Sequence, residues 1–222
     1  MCFSPEVDLL AGAGITAIGI DALRHVDHPS QRALASLPIV FGVHQLIEVG
    51  VWWSLDGPIP AQTGHRFALV YLSIAFGLIP WFIPMAVRRL EPNRWRRALM
   101  AGLAHVGGLV SIYLMWATIR GPLEVFNGGT HVGYRVQLSA GGIVVGFYVL
   151  ATCGSLLASS DRYVAMYGVA NLIAVTGLSF LLYTGVISLW CAWAAVTSTA
   201  IAVHLRRTDV HRQRFRLRTA DG

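Results

Sequence analysis

Seven stretches of mostly apolar sequence, each about as long as a lipid bilayer is thick, constrain this chain more than any other feature. A spanning helix takes about 20 apolar residues, because the hydrocarbon core offers no water to satisfy exposed peptide groups. The seven runs cover residues 5–23, 33–55, 67–87, 98–118, 136–158, 163–183 and 186–205. The last two are nearly continuous, and 183–185 is their weakest divider. The composition agrees: 55% of residues are hydrophobic, 13% are charged and the mean hydropathy is +0.59. A soluble domain carries about 25% charged residues. A disordered chain is excluded and a soluble enzyme disfavoured. The reading is an all-α polytopic membrane bundle of seven transmembrane helices over residues 1–205, followed by a basic cytoplasmic tail, 206–222.

Arginine sets the expected orientation. All 17 basic residues are arginine. With the N-terminus outside, the inner segments hold Arg24, Arg32, Arg88, Arg89, Arg94, Arg96, Arg97, Arg162, Arg206, Arg207, Arg212, Arg214, Arg216 and Arg218. Only Arg66, Arg120 and Arg135 fall outside. Basic residues near spans are retained on the cytoplasmic side, so the expectation is N-out and C-in. Arginine without lysine, with abundant Ala, Gly and Val, suggests a GC-rich bacterial genome and hence the inner membrane. The inner arginines are expected to meet anionic lipid head groups, and no nucleic-acid partner is expected. The absence of lysine excludes a Schiff-base mechanism, including retinal binding, and a P-loop lysine.

Other signals are sparse. The three cysteines, Cys2, Cys153 and Cys191, form no CxxC pair. The first residues lack the basic start of a signal peptide. The longest connection, about 119–135, contains Pro122 and Asn127-Gly128-Gly129 and reads as an irregular outer loop. Residues 9–19 and 99–109 share a pattern of small residues, which suggests helix packing more than a three-plus-one-plus-three repeat. Pro80 and Pro84 should bend the third span.

The second span holds the sharpest constellation. His44 and Glu48 are four apart and share a helix face, with Gln45 beside them. An ionisable residue at that depth costs about 2.5–3.5 kcal/mol on insertion scales, so Glu48 should face the bundle interior and have a partner. Such residues in membranes usually serve function. A proton relay, a ligand-binding carboxylate and a metal-ligand pair all fit, against a protonated Glu48 that is purely structural. A second group gathers at the outer end: Cys2, Ser4, His65, His131, Tyr134, Ser188, Trp190 and Cys191. Of these, Cys2, Ser4, His131, Tyr134 and Ser188 are candidates for the mouth of a pocket. Cys2 and Cys191 could pair in an oxidising exterior, or Cys2 could act as a nucleophile or ligand.

Further polar residues favour structural readings. His105, in the fourth span, could face His44 across a haem, but more often such a histidine bonds a helix backbone. Asn171 reads as interhelical glue. Asp21 and Arg24 read as a local ion pair, and Glu6 and Asp8 as a solvated rim near Arg66, Arg120 or Arg135. Trp52, Trp53, Trp116 and Trp190 read mostly as an outer interface belt. No cofactor and no definite metal site is expected.

The opening Met-Cys-Phe-Ser and the span-two pattern Phe-Gly-x-x-Gln-x-x-Glu resemble a bacterial family of short multipass membrane proteins filed as a domain of unknown function. The matching positions are Cys2, Phe3, Ser4, Gly12, Phe41, Gly42, Gln45 and Glu48. Thr-His-x-x-Tyr, with His131 and Tyr134, and Ser188-x-Trp190 are similar too. The resemblance spans the whole chain and implies fold and location only. Seven-span hydrolases related to alkaline ceramidase are a looser comparison. They need a second histidine in the last span, where this chain has only His204. Seven-span sugar transporters match in size, but their Pro-Gln helix break is absent.

The sequence therefore favours binding or transport of a small polar or amphipathic ligand through a polar pocket around Glu48, Gln45 and His44. A membrane-embedded, possibly metal-dependent hydrolase acting on lipid-like substrates and a non-catalytic accessory subunit are the alternatives. Substrate, oligomeric state and enzymatic character stay open.

Overall fold

Small residues set the first packing contact. In the computed structural model, which describes residues 4–26, 28–181 and 185–220, α1 (Pro5–Arg24) begins behind Ser4, whose hydroxyl accepts from the Val7 N–H at 3.4 Å. One stripe of α1 is buried: Asp8, Gly12, Ile15, Gly19 and Ala22. It lies against α3 (Leu37–Asp56), and at Gly12 and Gly42 the backbones nearly touch. Small residues permit such an approach, which supplies the van der Waals contact that holds helices together in lipid. Before α3, the short α2 (Pro29–Ala35) ends at Ser36, and Pro38 in the first turn of α3 prevents a straight continuation. The second apolar run is therefore two helices.

The third run is interrupted as well. α4 (Ala61–Leu72) passes into a π-helical segment, Ser73–Leu78, and then into α5 (Ile79–Leu90). Pro80 supplies the cause. The Ile79 N–H reaches back five residues to the Ile74 carbonyl, and Pro80 has no N–H to offer Ala75. The Tyr148 hydroxyl takes that place, donating to the Ala75 carbonyl at 2.7 Å.

α6 (Arg94–Arg120) is followed by a β-hairpin, α7 (Gly141–Leu157), α8 (Arg162–Leu181) and α9 (Val186–Ala220). The hairpin corrects two expectations. The segment read as an irregular loop is an antiparallel pair, β1 (Leu123–Asn127) and β2 (Val132–Val136), so the chain is not purely helical. The fifth apolar run starts as strand and becomes helix only at Gly141. Apolar and aromatic residues flanking Asn-Gly-Gly favour a hairpin, and Gly129 takes the left-handed conformation its turn needs, with φ +85°. α8 and α9 are described as two helices, ending at Leu181 and starting at Val186. α9 runs on as helix into the arginine-rich tail.

Among the described residues, five helical segments are long and apolar enough to cross a membrane: Pro29–Asp56, Ala61–Leu90, Arg94–Arg120, Arg162–Leu181 and Val186–His204. α7 is apolar but has 17 residues, and α1 has 20 but carries Glu6, Asp8, Asp21 and Arg24. Large apolar side chains point outward along the bundle, among them Leu109, Ile112, Ile143, Phe147, Ile173 and Phe180.

Contacts sort the connections into two ends. At one end Asp8 meets Trp52, and Asn127 of the hairpin donates to Asp56. At the other, Asp21 pairs with Arg206 of α9 and with His25, not with Arg24 as its spacing suggested. There too, Arg96 donates to the Ala158 carbonyl at 3.1 Å.

Glu91 anchors this second end. It is buried and accepts from the Ser160 hydroxyl at 2.6 Å, the Ser160 N–H at 2.7 Å and the Asn93 N–H at 3.0 Å. Burial pushes its carboxyl upward. The hydrogen bonds from Ser160 and Asn93 and the Arg96 charge outweigh burial and hold it below the ordinary range. A depressed carboxylate adds stability above its unfolded value, about 4.3, that is lost as pH falls through the folded value. The melting temperature of purified protein should therefore drop on acidification from that range downward. Glu91→Gln should lower it at pH 7, by about 1–3 kcal/mol of stability, and flatten the acid limb. A variant with an unchanged acid limb contradicts this.

Ala140, immediately before α7, is the one non-glycine described residue with positive φ, at 55°. A Cβ is unfavourable there, so Ala140→Gly should stabilise the protein by about 0.5–1 kcal/mol. Thermal melting in detergent checks this, and a loss of stability refutes it.

Candidate functional site

The face of α3 that carries His44, Gln45 and Glu48 is directed into the bundle, and all three side chains are buried. Periodicity puts His44 and Glu48 on one face, and contact with α1, α4 and the hairpin decides that this face is the inner one. The His44 ring stacks on Tyr71 of α4, with centroids 3.7 Å apart and planes 18° from parallel. Its Nε2 lies 2.9 Å from the Tyr71 carbonyl oxygen, so Nε2 carries the proton in that bond. Tyr71 stacks in turn on Tyr134 of β2, at 4.9 Å and 10°. The Tyr134 hydroxyl donates to Glu48 Oε1 at 3.2 Å, which closes a loop of α3, α4 and β2 around the carboxyl group.

Two further elements border the group. Asp8 of α1 is fully buried and accepts from Trp52 Nε1 at 3.0 Å. Of the two carboxylates expected on a solvated rim, Glu6 is exposed but Asp8 is interior, and Trp52 belongs to the interior instead of an interface belt. Asp8 sits four residues before Gly12, on the stripe that packs against α3, so the spacing of α1 carried the signal. On α9, Ser188 and Cys191 are buried, and the Cys191 thiol lies beside the Tyr71 hydroxyl within electrostatic reach of Glu48. Tyr71 had no sequence signal of its own, because an aromatic residue in an apolar span reads as filler.

The pocket-mouth residues separate. Tyr134 belongs to the site. His131 is buried between the hairpin turn and Gly185 at the start of α9, and burial lowers its pKa. Ser188 is buried on α9, while Ser4 caps α1. His65 is exposed on α4, away from the group. Cys2 lies outside the described residues, and Cys191 is a free thiol.

His105 turns to the outer surface of α6 and bonds the Ala101 carbonyl of its own helix at 2.7 Å, so it does not face His44 across a haem. Asn171 is buried, and its amide donates to Tyr167 one turn back at 2.9 Å. Trp190 is half-buried with its ring edge-on to Tyr148, so it faces the bundle, whereas Trp53 and Trp116 are exposed. Among the described residues no three His, Cys, Asp or Glu side chains converge as metal ligands.

Beside this polar group lies a cavity of about 280 Å³ beneath the hairpin. Phe76, Leu114, Val136, Val175 and Ile187 give it apolar walls, and Tyr134 and Cys191 line it where it meets the Glu48 group. A carboxyl, an imidazole, a carboxamide and a phenol side by side are equipped to exchange protons or to hold a polar head by hydrogen bonds.

No curated protein and no solved structure matches the chain. A family model matches residues 1–216, nearly the whole length. The chain therefore belongs to the family of unknown function DUF6629.

Proposed function

We propose that this protein crosses the bacterial inner membrane seven times, N-out and C-in, and binds or transports a small polar or amphipathic ligand through the pocket at Glu48. Two features support seven crossings beyond the five evident ones. α7 is apolar throughout, and at about 1.5 Å per residue its 17 residues come close to the hydrocarbon thickness. α1 buries Asp8 inside the bundle and holds Glu6 and Asp21 near its ends, so its charges need not enter lipid. The pairing of Asp21 with Arg206 supports an odd number of crossings, because it joins the end of α1 to the far end of α9. The arginine-rich end is then the cytoplasmic one.

One observation carries the ligand reading: Tyr134, which donates to the buried Glu48, lines the wall of a cavity, so the carboxyl group lies one side chain behind that wall. Native mass spectrometry of detergent-purified protein tests it. A bound non-protein mass is expected in wild type and lost in Glu48→Gln at unchanged melting temperature. A mass retained by Glu48→Gln refutes the assignment. Elemental analysis of the same samples bears on the hydrolase alternative: near-stoichiometric metal that disappears in His44→Ala favours that reading.

A further inference from the structure

The 280 Å³ cavity and the Glu48 group differ in chemistry, and their adjacency restricts what the pair can accept. The cavity reaches from the hairpin (Phe126, Tyr134, Val136) across α6, α7 and α8 to α9 (Val186, Ile187, Trp190). Its volume is at the lower edge of ligand pockets, which run from roughly 300 to 1,000 Å³. Its walls are overwhelmingly hydrocarbon and aromatic. Tyr134 and Cys191 border both the cavity and the carboxyl group, and Arg135, Tyr148 and Ser179 are the other polar residues of the lining. An ordinary polar solute would leave those walls without contact. A two-chain lipid would not fit the volume.

Charge narrows the head group. Asp8 and Glu48 are both fully buried at this end of the bundle. Arg135, the cation on the cavity wall, is paired with Glu124 at 2.6 Å and lies over the ring of Phe126, another wall residue. Two interior carboxyl groups disfavour an anionic head and favour one that donates hydrogen bonds.

We propose that the ligand is a single-chain amphiphile, its chain lodged in the cavity beneath the hairpin and its hydroxyl or ammonium head at Glu48 and Tyr134. This rests on the Glu48 reading above and adds the chemical class.

Trp190 in the cavity wall supplies the readout. Purified protein in detergent is titrated with doxyl-labelled dodecanol, dodecylamine and dodecanoate while tryptophan fluorescence is followed. Dodecanol and dodecylamine should give a saturable quenching component, absent in Trp190→Phe. Its apparent affinity should fall at least tenfold in Val175→Phe or Leu114→Phe, which fill the cavity, and in Glu48→Gln. Dodecanoate should give none. Melting temperatures report whether each variant folds, and the two filling variants stand in for one another. Lack of saturable quenching in wild type overturns the chain pocket while leaving the Glu48 reading to the mass-spectrometric test. Quenching insensitive to both filling variants also overturns it. Quenching lost on filling but unchanged in Glu48→Gln overturns the head-group assignment and the Glu48 reading together. Equal quenching by dodecanoate overturns the restriction to hydrogen-bond-donating heads.

Discussion

Gly107→Ala should cost more than about 3 kcal/mol, above the usual 1–3 kcal/mol of an overpacked core, and leave little folded protein after detergent extraction. A Cβ at position 107 falls 1.9 Å from the Pro80 carbonyl oxygen and 2.6 Å from its carbon. Those are backbone atoms, and they sit where Pro80 already forces α4 and α5 through the π segment. Neither helix can yield without disturbing the Ala75–Tyr148 bond that repairs the break. Gly42→Ala should follow the same pattern at the α1–α3 crossing, with its Cβ 2.7 Å from the Thr16 nitrogen and 2.9 Å from the Gly12 carbonyl oxygen. Gly102→Ala is the control. It lies on the same helix as Gly107 with nothing within 4 Å of an added Cβ, so it should be neutral or gain up to about 1 kcal/mol. Melting temperature and extractable yield compare the three. Equal behaviour of positions 102 and 107 contradicts the close approach.

Glu48→Ala should destabilise by about 2–4 kcal/mol, because it vacates a buried volume and strands the Tyr134 hydroxyl without its acceptor. Tyr134→Phe should cost about 1–3 kcal/mol. The double variant should cost less than the sum, with a coupling of about 0.5–3 kcal/mol. Glu48→Gln keeps an acceptor oxygen for Tyr134 and should stay within about 1 kcal/mol of wild type, which makes it the variant for function. Chemical denaturation in mixed micelles measures the cycle. Strict additivity would mean that the two side chains do not act on one another.

The sequence carried the apolar runs and the shared face of His44 and Glu48, because length and helical spacing are local properties. It carried less at three places. Asn127-Gly128-Gly129 between apolar and aromatic residues is a hairpin signal, but a segment between apolar runs reads as a loop. Asp8 reads as solvent-exposed because a carboxylate near a helix start usually is. Its spacing from Gly12 pointed inward. The Asp21–Arg24 pairing followed sequence proximity, whereas Arg206 approaches only when α1 and α9 pack together.

The sequence alone determined that the chain is a set of bilayer-length apolar helices with arginine gathered at alternate connections, since hydropathy and charge act segment by segment. Tertiary structure decided which faces are interior. Apolar residues line both sides of most of these helices, so periodicity cannot separate a side chain facing a neighbour from one facing outward. Only the contact of α1 with α3, the break at Pro80 and the folding of the hairpin over the bundle bring Asp8, Tyr71, Tyr134 and Cys191 to Glu48.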